Sequence, residues 1–306
     1  MTMREYARGE TSPLLLRLAQ QARLAAESAG ADSIHDLRVA IRRLSRCLRV
    51  FAQFYPAGSR RKLRQRLRKL MDAAGAVRDL DIAMALLGEA GVPRCTAVLA
   101  RLAVQRRKRS LALLAEVRRW SGRRLSHVWP RKLESDAAEK TRQAAWNEQA
   151  SPAANARRVL PRLAQEFFAQ VRAALAAHPS PERLHRIRLA AKRMRYTLEL
   201  FRRCYGRGLE SRIERLRSLQ QVLGEINDCA TTRRLLDGAM PVSPQRARTE
   251  RFLAARIRQK TAELRRLWSE DIDAPGQELG WAQYLSRNAR APGGGGNTVR
   301  AAAKGQ

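Results

Sequence analysis

The chain has 306 residues, enough for one large domain or two domains of ordinary size. Lys and Arg total 61 against 28 Asp and Glu, which gives a formal net charge of +33 at pH 7. Because 44% of the residues are apolar, the composition excludes a largely disordered chain. Aromatic residues make up only 5%, and alternating segments bounded by glycine are scarce, so an all-β fold is excluded as well.

The excess of positive charge limits the classes of partner. A strongly cationic protein repels itself and attracts polyanions, so the candidates are nucleic acid, an anionic membrane surface and polyphosphate. Only eight of the 61 cations are Lys. Arginine grips phosphate oxygens in pairs with its planar guanidinium, but a GC-rich genome would also favour arginine. Both explanations of the arginine content stay open.

The cysteines and the hydropathy pattern predict the cellular compartment. The four cysteines form no CxxC motif and no Cys/His cluster, which predicts buried free thiols in a reducing cytosol: Cys47, Cys95, Cys204 and Cys229. No stretch reaches about 18 uninterrupted apolar residues, and the first residues have no apolar signal region. We therefore expect a cytoplasmic protein that does not insert into a membrane.

Helical periodicity dominates the first half. Ser12-Pro13 has the residue types of an N-cap followed by a first helical position. Gly75 marks a predicted bend or break inside the third helical segment. The predicted segments of this half are about 12–30, 32–55, 59–91 and 93–120.

The second half repeats this plan after a less regular stretch. Residues 122–152 are the least periodic interior segment and are predicted to connect the halves. The segment 275–306, with its run of four glycines, predicts a disordered basic tail. The predicted helices of this half are about 153–178, 182–204, 207–223, 225–238 and 244–270.

An internal duplication is visible in the sequence. HDLRVAIRRLSRCLRVF at 35–51 matches HRIRLAAKRMRYTLELF at 185–201, and LMDAAGAVRDLDIA at 70–83 resembles LQQVLGEINDCATT at 219–232. Each unit spans about 110 residues, too long for a solenoid repeat. We therefore predict an all-α fold of two antiparallel helical bundles related by an internal pseudo-two-fold axis. A single domain at 1–270 would contain the two units, at about 12–121 and 153–270.

A histidine-led basic face recurs on both matched helices. With about 100° per residue, the charged side chains gather on one side of each helix and apolar side chains on the other. Arg43 and Arg193 lie at the flank of this face in each copy. The candidate binding residues are His35, Arg38, Arg42, Arg43 and Arg46 in the first copy, and His185, Arg188, Lys192, Arg193 and Arg195 in the second.

The nearly uniform sign of these faces predicts an anionic ligand. Solvated helix faces usually mix acids and bases, and like charges at i, i+4 cost a few tenths of a kcal/mol per pair. A polyphosphate strand suits such a face, because it presents one negative charge per unit and no bases. Many such contacts, with release of counterions, give tight and steeply salt-dependent binding. Two such faces opposite each other would form one basic channel.

Other residues receive smaller roles. His35 and His185 could donate to phosphate or satisfy a backbone carbonyl, and neither has the carboxylate or nucleophile that acid–base catalysis needs. Asp79 and Asp81 are weak support for a metal, so no metal site and no cofactor is predicted. Secondary contacts with the polyanion are predicted for Arg66, Lys69, Arg78 and Arg215.

These motifs resemble the conserved-histidine α-helical domain (CHAD) family. The resemblance rests on HxxRxxxKRxRY at 185–196, HxxRxxxRR at 35–43, VRDLD at 77–81 and LGEIND at 223–228, and it covers about residues 12–270. It implies two helical bundles with internal symmetry, a basic central surface that binds inorganic polyphosphate, and association with polyphosphate granules. The first copy departs from the pattern, because Ser45 stands where the second copy has Arg195.

No sequence feature supports an enzyme. The chain has no ExExK signature of the triphosphatase domain that is fused to some CHAD proteins, and no GxxxxGK[ST] loop. We therefore expect a non-enzymatic polyphosphate-binding protein. A sequence-nonspecific nucleic-acid-binding protein is the alternative, although the five tryptophans lie outside the histidine-led faces and offer them no stacking platform.

Overall fold

The computed structural model describes residues 1–28, 30–121, 125–134, 146–176 and 180–291. This described part is almost entirely helical and contains no strand, so the predicted all-α class is confirmed. Its helices are α1 (Met3–Glu27), α2 (Ala31–Val50), a 3-10 turn (Ala52–Phe54), α3 (Ala57–Glu89), α4 (Ala97–Ser121), α5 (Leu125–Glu134), α6 (Pro152–Leu175), α7 (Pro181–Leu200), α8 (Arg202–Tyr205), α9 (Gly208–Ala239), α10 (Pro244–Leu267), a π turn (Trp268–Ile272) and α11 (Gln277–Arg287).

Helix α1 begins earlier than predicted. The Thr2 hydroxyl accepts a hydrogen bond from the Glu5 N–H (3.2 Å), and the Glu5 carboxylate accepts one from the Thr2 N–H (2.8 Å). This reciprocal capping box satisfies two of the free donors of the first turn. The prediction of a start at Ser12 was wrong, because Pro13 lies inside the helix.

The later helix starts agree with the predictions. Ser151, Ser180 and Ser243 each cap a helix with the side-chain oxygen, which accepts from a backbone N–H three residues on. A proline follows each of these serines, at the position where its missing N–H costs no hydrogen bond.

Helices α3 and α9 are continuous where breaks were predicted. Gly75 lies inside α3, and Gly224 lies inside α9, so the bend at Gly75 and the division of α9 near Gly224 were wrong predictions. A glycine inside a helix costs about 1 kcal/mol. Buried leucines elsewhere on the two helices, such as Leu70 and Leu223, hold both helices against the core and outweigh that cost. The end of α3 was predicted correctly, because Gly91 adopts a left-handed conformation (φ 76°) there.

Helices α2 and α7 lie at the centre of the molecule. Helix α2 packs against α1, α3 and α7, and α7 packs against α6, α9 and α2. Their apolar stripes, with Leu37 and Ile187 as examples, belong to one hydrophobic core that both halves share. A second cluster joins the far ends of α3 and α9 to α4 and α10.

An aromatic cluster fixes the ends of the two central helices. Phe51 and Phe201 are the residues at which α2 and α7 end, and their ring centroids are 5.9 Å apart. Tyr6 stacks on Phe201 at 5.6 Å, and Trp146 lies 5.1 Å from Phe201. The Tyr6 hydroxyl donates to the Leu200 carbonyl (2.6 Å). These contacts hold α2 beside α7 and thereby fix the spacing of the charges that the two helices carry.

The order of the helices recurs in the two halves. A long helix, the histidine-led helix, a short turn or helix and two more long helices follow each other twice, first as α1 to α4 and then as α6 to α10. This order agrees with the duplication in the sequence. The pseudo-two-fold axis itself stays a prediction.

The segment after Pro275 is not wholly disordered. Residues 277–287 form α11, which packs against α6. Trp281 is buried beside Phe168, with 5.6 Å between the ring centroids, and the Tyr205 hydroxyl donates to the Leu285 carbonyl (2.6 Å). The prediction of disorder from 275 was therefore wrong for α11, because two apolar residues at helical spacing are enough to dock it. Residues 292–306 lie outside the described part.

Two further predictions need correction. The predicted connection 122–152 contains helix α5, whose Trp129 and Leu133 are buried in the shared core. Three of the four cysteines are buried free thiols, as predicted, but Cys95 is exposed in the turn before α4. His127 and His178, to which the sequence assigned no role, carry side chains outside the described part.

Removal of the Tyr6 hydroxyl should destabilise the protein. Tyr6→Phe leaves the buried Leu200 carbonyl without its donor, so we expect the free energy of unfolding to fall by about 1–2 kcal/mol. Tyr6→Ala should cost about 3–5 kcal/mol, because it also empties a fully buried ring site. Urea denaturation of both variants measures these values. Equal effects of the two substitutions would contradict the role of the stacked ring.

Candidate functional site

An open cleft of about 1130 Å³ lies over the central helices. Its floor is formed by α2 and α7, and its walls by the first half of α3 and the last turns of α6. We call it the central cleft and define it by the charged or polar residues that line it: Arg38, Arg42, Ser45, Arg46 and Arg49 of α2; Arg61, Arg64, Gln65 and Arg68 of α3; Gln170 of α6; and Arg186, Arg188, Lys192, Arg193 and Tyr196 of α7.

The amphipathic pattern of each floor helix points its cations into this cleft. In α2 the buried stripe that includes Leu37 and Leu44 faces the core, so residues spaced by four on the opposite side rise toward the cleft. In α7 the stripe that includes Ile187 and Met194 does the same. The contact between α2 and α7 then brings the two charged rows to one floor.

The lining of the cleft has a single sign. Eleven of the lining side chains are Arg or Lys, and no carboxylate lines the cleft within the described residues. Several of these cations are partly buried, which raises the cost of their mutual repulsion.

Lys192 shows the effect of this crowding most clearly. Burial, followed by the positive charges of Arg188 and Arg42, lowers the pKa of Lys192 from 10.5 to about 7. Burial, with Arg193 and Arg49 beside it, lowers the pKa of Arg46 to about 10. Both shifts have the sign expected of a cation that is withdrawn from water among like charges.

Two guanidinium groups have donors that lack a protein acceptor. The Nε atoms of Arg42 and Arg188 are buried and make no hydrogen bond within the described part of the chain. A buried donor without a partner costs about 1–3 kcal/mol. Other atoms of both residues line the central cleft.

Two carboxylates lie behind the cleft and counter part of its charge. Burial raises the pKa of Asp79 on α3, and the positive charges of Arg38 and Arg188 oppose that rise. Burial also raises the pKa of Asp228 on α9, and a hydrogen bond from Asn227 and the charge of Arg188 oppose it. Arg38 approaches α3 closely at Gly75, where an added Cβ would lie 2.8 Å from the Arg38 Nη1 atom and would displace the end of this side chain.

Six of the ten predicted binding residues line the central cleft: Arg38, Arg42, Arg46, Arg188, Lys192 and Arg193. Two of these six also make contacts with neutral protein groups. Arg46 donates to the Thr197 hydroxyl through Nε and Nη2 (3.0 and 2.7 Å), and Arg193 donates to the Gln170 side-chain oxygen (2.9 Å). Neither contact neutralises the charge.

The two histidines do not line the cleft. His35 and His185 are exposed in the first turns of α2 and α7. Burial and the charges of Arg42 and Arg78 lower the pKa of His35, so its neighbours favour the neutral imidazole. Arg78, a predicted secondary contact, thus lies near His35 and behind the floor, outside the lining of the cleft.

Arg43 and Arg195, predicted to bind the ligand, do not line the central cleft. Both donate to the Glu199 carboxylate, at 3.2 and 3.1 Å respectively, and this carboxylate is only 10% exposed. Arg195 also donates to Gln220 (2.9 Å) and lies over the Tyr196 ring, 4.4 Å from its centroid. A shared acid on α7 holds both outside the central cleft, and their role in binding stays a prediction.

The residues predicted to make secondary contacts with the polyanion lie at different places in the structure. Arg215 pairs with Asp271 (3.1 Å) and donates to Gln277 (2.6 Å), so it stabilises the contact between α9 and the C-terminal segment. It lies outside the central cleft, and its secondary contact with the polyanion stays a prediction. Arg66 and Lys69 lie on α3 beside the cleft, in a separate hollow next to α5.

Sequence reasoning missed several cations of the cleft. The walls include Arg61, Arg64 and Arg68 of α3, spaced at i, i+3 and i+7, and Arg49 and Arg186 complete the rim. The spacing on α3 was a visible signal. Cations surround this helix, however, so its sequence alone does not show which side faces α2.

Within the described residues, no group of three or more His, Cys, Asp or Glu side chains is placed to hold a metal ion. No helix in the described segments is long and apolar enough to cross a membrane.

The fold and the family can be compared with known proteins. No curated protein sequence matches the chain. A CHAD domain from the plant Ricinus communis is similar in structure, with a TM-score of 0.64, 20% identity and coverage of 95% of this chain and 94% of that chain. PptA from Streptomyces chartreusis has a TM-score of 0.62 and 16% identity, with coverage of 88% of this chain and 99% of that chain. The family model of the CHAD domain matches residues 14–237, and the chain therefore belongs to the CHAD domain family.

Proposed function

We propose that this CHAD protein binds inorganic polyphosphate in the central cleft and does not catalyse a reaction of it. The observation that carries the proposal is the cleft of about 1130 Å³ whose lining combines eleven cations with no described carboxylate. A linear polyanion with one charge per unit matches this lining, because it needs no base recognition. The resemblance of the histidine-led motifs to the CHAD family implies the same ligand, and with it association with polyphosphate granules.

The energetics of the unbound cleft support an anionic ligand. Buried Nε donors on Arg42 and Arg188 lack acceptors, and Lys192 is held among like charges. These features destabilise the protein without a ligand and are relieved when phosphate oxygens enter. Residues that lower stability in this way are typical of functional sites.

Nucleic acid is the second candidate, and net charge alone supports it. Single-strand binders stack bases on exposed aromatic rings. Tyr196, the aromatic residue that lines the cleft, is 5% exposed and has the Arg195 guanidinium over its ring. Duplex DNA spreads its phosphates across grooves about 12 and 6 Å wide, whereas the cations here converge on one cleft. The geometry therefore favours polyphosphate.

Neutralising two cleft cations should weaken binding and leave the fold intact. For Arg42→Gln/Lys192→Gln we expect an affinity for polyphosphate about 10- to 100-fold lower, because two charge-assisted contacts are lost. The melting temperature without ligand should not fall, since the substitutions relieve desolvation and repulsion. Calorimetric titration and thermal unfolding measure the two effects.

A control for this variant is available on α10. Arg248→Gln/Arg258→Gln removes the same charge from exposed positions outside the cleft, and it should change the affinity by no more than about twofold. Equal losses in both double variants would show that net charge, and not the cleft, drives binding.

Binding should take up a proton above neutral pH. The pKa of Lys192 is about 7 in the folded protein and 10.5 in an unfolded chain, so its charged form is disfavoured by folding and favoured by bound phosphate. We therefore expect the affinity to fall from pH 7 to pH 9. The stability of the unbound protein should rise over the same interval, because the unfolded state there binds more protons. Titrations in buffers of different ionisation enthalpy count the protons.

Lys192→Arg provides the matched comparison. Arginine keeps its charge over this interval, so the variant should lose most of the pH dependence and retain binding. An unchanged pH dependence in Lys192→Arg would assign the proton to another group.

Competition between polyanions separates the two candidate functions. At equal phosphate concentration, duplex DNA should displace long-chain polyphosphate poorly, and tripolyphosphate should not be hydrolysed with Mg²⁺ or Mn²⁺ present. Fluorescence anisotropy with labelled polyphosphate and a phosphate-release assay test both points. Ready displacement by DNA would favour the nucleic-acid function, and metal-dependent phosphate release would contradict the assignment of binding alone.

A further inference from the structure

A second cationic hollow lies beside the central cleft, on the other flank of α3. It has a volume of about 480 Å³ and is bounded by α3 and α5. We call it the lateral hollow and define it by its lining residues, which are Lys62, Gln65, Arg66, Lys69, Trp129 and Lys132. Gln65 also lines the central cleft, so the two concavities meet along one ridge of α3.

The helical geometry of α3 explains how one helix serves both concavities. With about 100° per residue and Gln65 at the origin, Arg61, Arg64 and Arg68 lie about 40–100° to one side. Lys62, Arg66 and Lys69 lie about 40–100° to the other side. The first group faces the cleft and the second faces the hollow. The exposed surface of α3 therefore carries cations toward both concavities, and the neutral Gln65 amide lies between the two groups.

Helix α5 is anchored where it completes the hollow. Trp129 is 4% exposed, and the Arg66 guanidinium and the Lys132 ammonium lie over its ring at 5.5 and 5.6 Å. Leu133 beside it belongs to the shared core. These contacts fix α5 against α3 and bring the Lys132 charge toward Lys62 and Lys69, which a free loop would not do.

Among the described residues, the four cations of the hollow have no acidic counterpart there. None of Lys62, Arg66, Lys69 and Lys132 pairs with a carboxylate within the described residues, and none of the residues that line the hollow is acidic. A cluster of cations left in this way around a concavity attracts anions. Since Trp129 is covered by two cations, it offers no face on which a nucleic-acid base could stack.

We propose that the lateral hollow is a second anion subsite, which takes the continuation of a polyphosphate chain that lies in the central cleft. The chain crosses α3 at Gln65, and chains long enough to cross bind more tightly than chains confined to the cleft. This inference rests on the proposed function. The lateral hollow would make the affinity depend on the length of the polyphosphate chain, through residues outside the histidine-led helices.

The test compares three ligands and two triple variants of the full chain. Lys62→Gln/Lys69→Gln/Lys132→Gln removes charge from the hollow and keeps Arg66, which packs on Trp129. Arg248→Gln/Arg251→Gln/Arg258→Gln removes the same charge from exposed positions on α10. Each protein is titrated with tripolyphosphate, with long-chain polyphosphate and with single-stranded DNA at matched phosphate, at several salt concentrations.

For the hollow variant we expect about tenfold weaker binding of long-chain polyphosphate, from three exposed contacts, and unchanged binding of tripolyphosphate. The slope of the logarithm of affinity against the logarithm of salt concentration should become shallower by about two for the long chain, as counterion release predicts for three contacts. The α10 variant should keep wild-type affinity and slope for both ligands.

Several results would overturn the inference. If the hollow variant binds long-chain polyphosphate as tightly as the wild type, the lateral hollow is not a subsite, and the proposed function stays intact. If the α10 variant loses as much affinity as the hollow variant, the loss comes from net charge and not from the lateral hollow. A loss confined to single-stranded DNA would assign the hollow to nucleic acid. If the wild-type protein binds neither polyphosphate, the proposed function itself fails, and this result is distinct from the loss of length dependence alone.

Discussion

The packing of α2 against α7 is the contact on which the rest of the structure depends. It buries apolar stripes from both halves of the chain in one core, and the aromatic cluster around Phe201 fixes the ends of both helices. The same contact brings two rows of cations to one floor, where burial and like charge lower the pKa of Lys192 to about 7. Hydrophobic burial thus holds together charges that would otherwise separate.

The cations of the central region fall into two groups according to their acidic neighbours. Glu199 pairs with Arg43 and Arg195 and turns them into a structural link outside the cleft. Asp79 and Asp228 lie behind the floor and lessen the repulsion there without lining the cleft. The described lining of the central cleft therefore carries charge of one sign, which suits the capture of a polyanion.

Helix α3 connects the central region to the rest of the surface. Its buried face carries leucines at helical spacing, and its exposed face carries cations on both sides of Gln65. The helix remains unbroken at Gly75, where the absence of a side chain lets Arg38 lie close to it. A residue that was predicted to bend or break the helix therefore lies within it, next to the end of a neighbouring arginine side chain.

The sequence by itself determined the helical class, the duplicated histidine-led helices and the cationic faces of α2 and α7, because the 3.6-residue periodicity of buried leucines also fixes the opposite side of each helix. Only the tertiary structure decided which cations share a concavity. The pairing of Arg43 and Arg195 with Glu199, and of Arg215 with Asp271, depends on which helices become neighbours. The same holds for the wall formed by Arg61, Arg64 and Arg68. Because α3 carries cations on several sides, only its packing against other helices decides which of them face the cleft.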